Sequence, residues 1–141
     1  MILRALSTFA LFCWWVSFTF YSAVVVPIGS ALFDPIHQGF ITREVTNFLN
    51  LLCGVFLLFS LAEIIQKRRD RVSLLLWIVI AGSLLSLLYL HQQMDAKLDA
   101  QAMTVLPGQG FYPSHRIYLW VSTVGWVAGG IWIVRRLSRE A

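Results

Sequence analysis

VSLLLWIVIAGSLLSLLYL, residues 72–90, runs for nineteen residues without a formal charge and then turns polar at His91. About 20 helical residues match a hydrocarbon core of about 30 Å, and in that core only helices and closed barrels satisfy every backbone N–H and C=O. The stretch therefore reads as a membrane-spanning helix. Residues 5–33, 45–62 and 117–134 also lack Asp, Glu, Lys, Arg and His. The expected fold is all-α: one four-helix transmembrane bundle over residues 1–141, with spans at about 5–33, 45–65, 72–90 and 115–134. Composition agrees, since 58% hydrophobic residues, 13% charged residues and a mean hydropathy of +0.72 lie outside the soluble range.

The first uncharged run has 29 residues, about 43 Å of helix, which is more than a bilayer needs. Pro27 withholds an amide from the turn before it and Gly29 follows, so a kink is expected there, with Asp34-Pro35 ending the helix. The run is about twice the length of a signal-peptide core, and no small-x-small site follows at the right distance. Bulky Phe12 before Cys13 argues against a lipoprotein site. Cys13 and Cys53 both fall inside spans, where a thiol behaves as a small apolar group, so no disulfide framework is implied.

Lys and Arg in the loops set orientation far more than acidic residues do. One side collects Arg4, QKRRDR at 66–71 and VRRLSREA at 134–141: eight basic residues against three acidic, Glu63 included. The other side holds Arg43, Lys97 and Arg116 against Asp34, Glu44, Asp95 and Asp99. Both termini are therefore expected in the cytoplasm of a bacterial inner-membrane protein, with the 34–44 loop and the long 91–116 connection outside. QKRRDR reads as a topology signal against anionic headgroups, so the net charge of +4 points to the lipid bilayer and not to nucleic acid.

Helices in lipid associate through small residues and hydrogen bonds. In the fourth span His115, Tyr118, Ser122, Gly125 and Gly129 step by three or four, a stripe expected to face the bundle or a partner; Gly82 and Ser86 offer the same in the third. Asn47, Asn50 and Gly54 share one side of the second span. Amides facing lipid would lack hydrogen bonds, so the asparagines need partners on neighbouring helices or a polar cavity to line. Trp77, Trp120 and Trp132 lie near span ends, as interfacial anchors do; Trp14, Trp15 and Trp126 fall near the middle, suited to core packing or to stacking on a flat cofactor.

His37, His91 and His115 all fall on the expected outer side. With Met94, Asp95, Asp34 and Glu44 they offer donors for copper, zinc or haem iron, although boundary residues also account for interfacial histidines. At 100° per residue, His91 points about 180° from Gly82 and about 140° from Ser86, away from the face expected inside. Beyond it, Met94, Leu98, Ala102 and Val105 step as an amphipathic extension of the third helix. PGQG at 107–110 then breaks that helix, and FYPSHR begins the last, capped at Ser114 or just before, with Phe111 and Tyr112 at the interface.

No CxxC, HExxH, phosphate-loop or Ser/His/Asp pattern is present, which removes the familiar soluble enzyme classes. A first helix ending FYSAVVVPIGSALF and a last helix opening FYPSHRIYLWVSTVGW resemble small bacterial four-helix membrane proteins classed as domains of unknown function. That resemblance covers most of the chain, implies four spans, and carries no activity or ligand residues with it. The expected role is a binding or accessory subunit, joined to other membrane subunits or to a second copy. The alternative is a small redox protein holding a metal, haem or quinone through His115, His91 and His37, with Asn47 and Asn50 lining the pocket.

Overall fold

The structure, a computed structural model, describes residues 2–66, 70–99, 102, 104–106 and 110–138. Residues 67–69 of the basic run, 107–109 of PGQG and 139–141 of the basic tail lie outside the described residues. The first span is α1 (Ile2–Phe20), a π-helical turn (Tyr21–Val25) and α2 (Val26–Leu32). It is followed by α3 (Pro35–Gln66), α4 (Arg71–Asp95), a two-stranded hairpin of β1 (Leu98–Asp99) and β2 (Thr104–Val105), and α5 (Phe111–Leu137). Four helices, Ile2–Leu32, Pro35–Ile65, Arg71–Asp95 and Phe111–Leu137, are each long and apolar enough to cross a membrane.

Local chemistry sets where these helices start and stop. The distortion expected at Pro27 takes the form of the π turn just before it, which widens the ladder upstream of the missing N–H. Phe33 is extended and closes the first span, as a residue so near Asp34-Pro35 should. The next helix begins without a loop. Asp34 Oδ1 accepts from the amides of Ile36 (3.0 Å) and His37 (3.2 Å), and Pro35 supplies a preset φ. The expected 34–44 loop is thus the first turns of a 32-residue α3.

Asp70 caps α4 in the same way, accepting from the Ser73 amide at 3.2 Å and the Ser73 hydroxyl at 2.6 Å. The helical extension expected to reach residue 105 stops at Asp95. Asp99 Oδ1 accepts from the Ala102 amide at 3.0 Å, so its side chain stabilises a turn that folds β2 back onto β1, with Leu98 opposite Val105. Gly110, with φ of 63°, makes the left-handed turn into α5. Ser114 lies inside that helix, accepts from Lys97 Nζ at 2.8 Å and so ties the hairpin to α5.

The helices pack as neighbours in sequence order, α1 on α3, α3 on α4 and α4 on α5, and α1 closes the ring against α5. The main core gathers Leu11, Trp14, Phe56, Ile80 and Trp132; a smaller one toward the other end joins Leu87, Met94 and Tyr118. The outward faces are apolar as well: Leu58, Leu85 and Trp120 are 72%, 68% and 73% exposed, the arrangement a lipid-facing surface requires. Arg4, Glu63, Asp70 and Arg136 meet at one end, and Arg43, Asp95, Lys97 and Ser114 at the other.

Candidate functional site

The interior face of α4 runs through Leu76, Ile80, Ser83, Leu87, His91 and Met94, in helical steps of three and four. His91 is therefore buried and Gly82 and Ser86 are exposed, the reverse of the expected assignment. The angular separation agrees with the structure, but small residues do not mark the inward side of α4; packing buries the side carrying Leu76, Ile80 and Leu87. In α5 the stripe lies inside as expected: Tyr118, Ser122, Gly125 and Gly129 are buried. A Cβ at Gly125 would stand 3.3 Å from Ser83 Cβ, and one at Gly129 would stand 2.7 Å from Trp14 Cζ3, so the two glycines let α5 approach its neighbours closely.

Burying His91 assembles a polar chain at the end away from the termini. Arg43, on α3, holds the last residue of α4 through Nε to Asp95 Oδ1 (2.6 Å) and Nη2 to Asp95 Oδ2 (3.0 Å). Asp95 Oδ2 also stands 3.6 Å from Nε2 of His91, one turn earlier. That nitrogen is buried and has no hydrogen-bond partner among the described residues. The imidazole leans on Tyr118, ring centroids 6.4 Å apart, and Asn50 Nδ2 reaches the Tyr118 hydroxyl at 3.5 Å. Chemically, one imidazole faces one carboxylate that a guanidinium already holds.

The other expected site residues lie apart from this chain. Asn50 is buried and finds its partner on α5, but Asn47 is exposed on the outside of α3 and lines no shared pocket with it. His37 is exposed and pairs with Asp34 at the start of α3. His115 stacks on Phe111, ring centroids 6.1 Å apart. Among the described residues, no three His, Cys, Asp or Glu side chains gather closely enough to hold a metal ion. Outside the spans, the His37 amide, with further help from burial-opposed side-chain and Ile36 contacts, holds the Asp34 carboxyl below its ordinary value of 3.8.

From the sequence Arg43 is only a charge in a topology count and Asp95 such a charge and a metal donor, so their bond to each other is unforeseen. The spacing of His91 and Asp95, four apart on one helix face, was the available signal. Two of the three mid-span tryptophans pair with each other. Trp15 stacks on Trp126 at 5.3 Å and donates to its carbonyl at 3.0 Å, Trp126 donates to Thr19 at 2.8 Å, and Trp14 stacks on Phe56 at 6.1 Å. Trp132, expected as an interfacial anchor, is a core residue set edge-on against Phe56.

On the outside of α4, Leu75, Ile78, Gly82, Ser86, Tyr89 and Gln93 form one exposed stripe, again in steps of three and four. A Cβ at Gly82 would meet nothing within 4 Å, so the backbone there is open to another helix. No family model, curated protein or solved structure matches the chain.

Proposed function

We propose that this chain is a multi-pass protein of the bacterial inner membrane, with both termini in the cytoplasm, that serves as a binding or accessory subunit of a membrane assembly. The observation that carries the reading is the outward stripe on α4. The small step at Gly82 and Ser86 has no neighbour inside the bundle, unlike the one at Gly125 and Gly129. Because lipid tails are as apolar as leucine, a small-residue step on a lipid-facing helix gains little by facing lipid and much by admitting a second backbone. The orientation rests on the eight-to-three basic excess at the end holding Arg4 and Arg136. The bacterial setting is what the resemblance of FYSAVVVPIGSALF and FYPSHRIYLWVSTVGW to small bacterial four-helix proteins implies.

Size measurement after extraction in mild detergent tests it. The wild type should run as a dimer or with a second membrane subunit in fixed ratio, and Gly82→Leu, which fills the step, should run as a folded monomer with unchanged helical content. A wild-type monomer with no companion contradicts the reading. The rival reading, a small redox protein, draws on one observation, the unpartnered Nε2 of buried His91. A Soret band or stoichiometric copper, zinc or iron that His91→Ala abolishes would favour it, and neither is expected.

A further inference from the structure

At the end holding the termini, the helices leave a small cleft of about 50 Å³, several times the roughly 10–15 Å³ that one water needs. Among the described residues, Arg4, Arg135 and Arg136 line it together with Glu63 and Asp70. Both carboxylates are already engaged. Glu63 uses both oxygens on Arg136 Nη2, at 2.6 and 2.7 Å, and Asp70 takes the Ser73 hydroxyl at 2.6 Å and the Ser73 amide at 3.2 Å. Arg135 reaches Asp70 only at 3.4 Å, through Nη2. Its Nε is buried and has no partner among the described residues, and such a charged donor is costly to leave unmatched. Arg136, which forms the neighbouring wall, is 8% exposed and held by Glu63, whereas the Arg135 side chain is 34% exposed and so open to a ligand from outside.

We propose that this cleft binds a phosphate group, and that the group belongs to an anionic glycerophospholipid. The Nε and Nη edge of a guanidinium matches two phosphate oxygens. The source is lipid because the cleft sits where apolar spans end: Ile65 and Val134, 61% and 63% exposed, adjoin the lining residues Ile64 and Arg135 and offer surface to acyl chains. From Ser73, the lining residue of α4 nearest it, the Gly82 step is about 13 Å away along the helix, and the site stands or falls independently of the partner reading.

Native mass spectrometry of the full chain in detergent, titrated separately with phosphatidylglycerol, phosphatidylcholine and inorganic phosphate, tests the assignment. Wild type should bind phosphatidylglycerol at least about tenfold more tightly than phosphatidylcholine, whose choline ammonium offsets the charge of its phosphate and is repelled by the arginines. Arg135→Gln should bring that ratio close to one. Arg71→Gln, which removes an exposed charge at the same end, should leave it intact. Where Arg135→Gln does not fold, Arg135→Lys keeps the charge but loses the fork and should lower the ratio several-fold. A ratio unchanged in the Arg135 variants, or reduced equally by Arg71→Gln, overturns the site. Saturable phosphate binding that Arg135→Gln removes, with no preference between the lipids, keeps the oxyanion site and overturns its lipid assignment.

Discussion

Arg136 shows how a charge is kept inside an apolar bundle. It is 8% exposed and lies within reach of both Glu63 oxygens, the Ser7 hydroxyl at 3.3 Å and the Arg4 carbonyl at 3.4 Å. Removing only one partner leaves the other charge buried, so Arg136→Gln should cost about 3–5 kcal/mol of unfolding free energy in bicelles. The double replacement Arg136→Met with Glu63→Leu should recover most of that loss. Tyr118→Phe, which takes one weak partner from Asn50, should cost about 1 kcal/mol or less by the same assay. Asp34 is the residue with a readable pH response. Its carboxyl is held low by the amide of His37, so the capping contribution is present above the ordinary value of 3.8 and fades as pH falls through the lower folded value. In His37→Ala the backbone donors remain, and a carbon-13 carboxyl titration should still place the Asp34 midpoint below 3.8; a return to the ordinary value would show that the imidazole alone was responsible.

At the scale of the element, glycines report which faces are used. Gly129→Ala would press a methyl group against the rings of Trp14 and Trp15, at 2.7 and 3.1 Å, and should destabilise the bundle by about 1–3 kcal/mol. Gly82→Ala meets nothing and should leave the isolated bundle as stable or slightly more so. The apolar runs made the four spans legible, because a run without charge is the direct imprint of a hydrocarbon core. They did not reveal where helices end. The α3 helix begins at Pro35, ten residues before its uncharged run, because the Asp34 cap and not hydrophobicity decides that end. Likewise the 91–105 segment has a helical period, yet the Asp99 turn wins after Asp95, since one short amphipathic stretch has little surface to bury its apolar side against. The face of α4 was misjudged because Gly82 and Ser86 mark a close-packing surface without saying whether the neighbour lies in the same chain.

Over the whole molecule, the two ends are built differently. The end with Arg43 and Asp95 is closed by an ion pair between α3 and α4, with His91, Tyr118 and Asn50 beneath it. The end with Arg4, Arg135 and Arg136 carries the basic excess and the small cleft. Of the site residues expected from sequence, only His91 and Asn50 meet, through Tyr118, because convergence depends on how helices rotate against one another and a single sequence does not encode that angle visibly. What charge does encode is sidedness. In the proposed reading four crossings bring Ile2 and Ser138 to one face, and the positive end is retained in the cytoplasm. Paired carboxyl-terminal fusions to a fluorescent protein and to alkaline phosphatase in bacterial cells measure this directly. The account predicts bright fluorescence and inactive phosphatase; active phosphatase with a dark fluorescent fusion would place the arginine-rich end outside and contradict it.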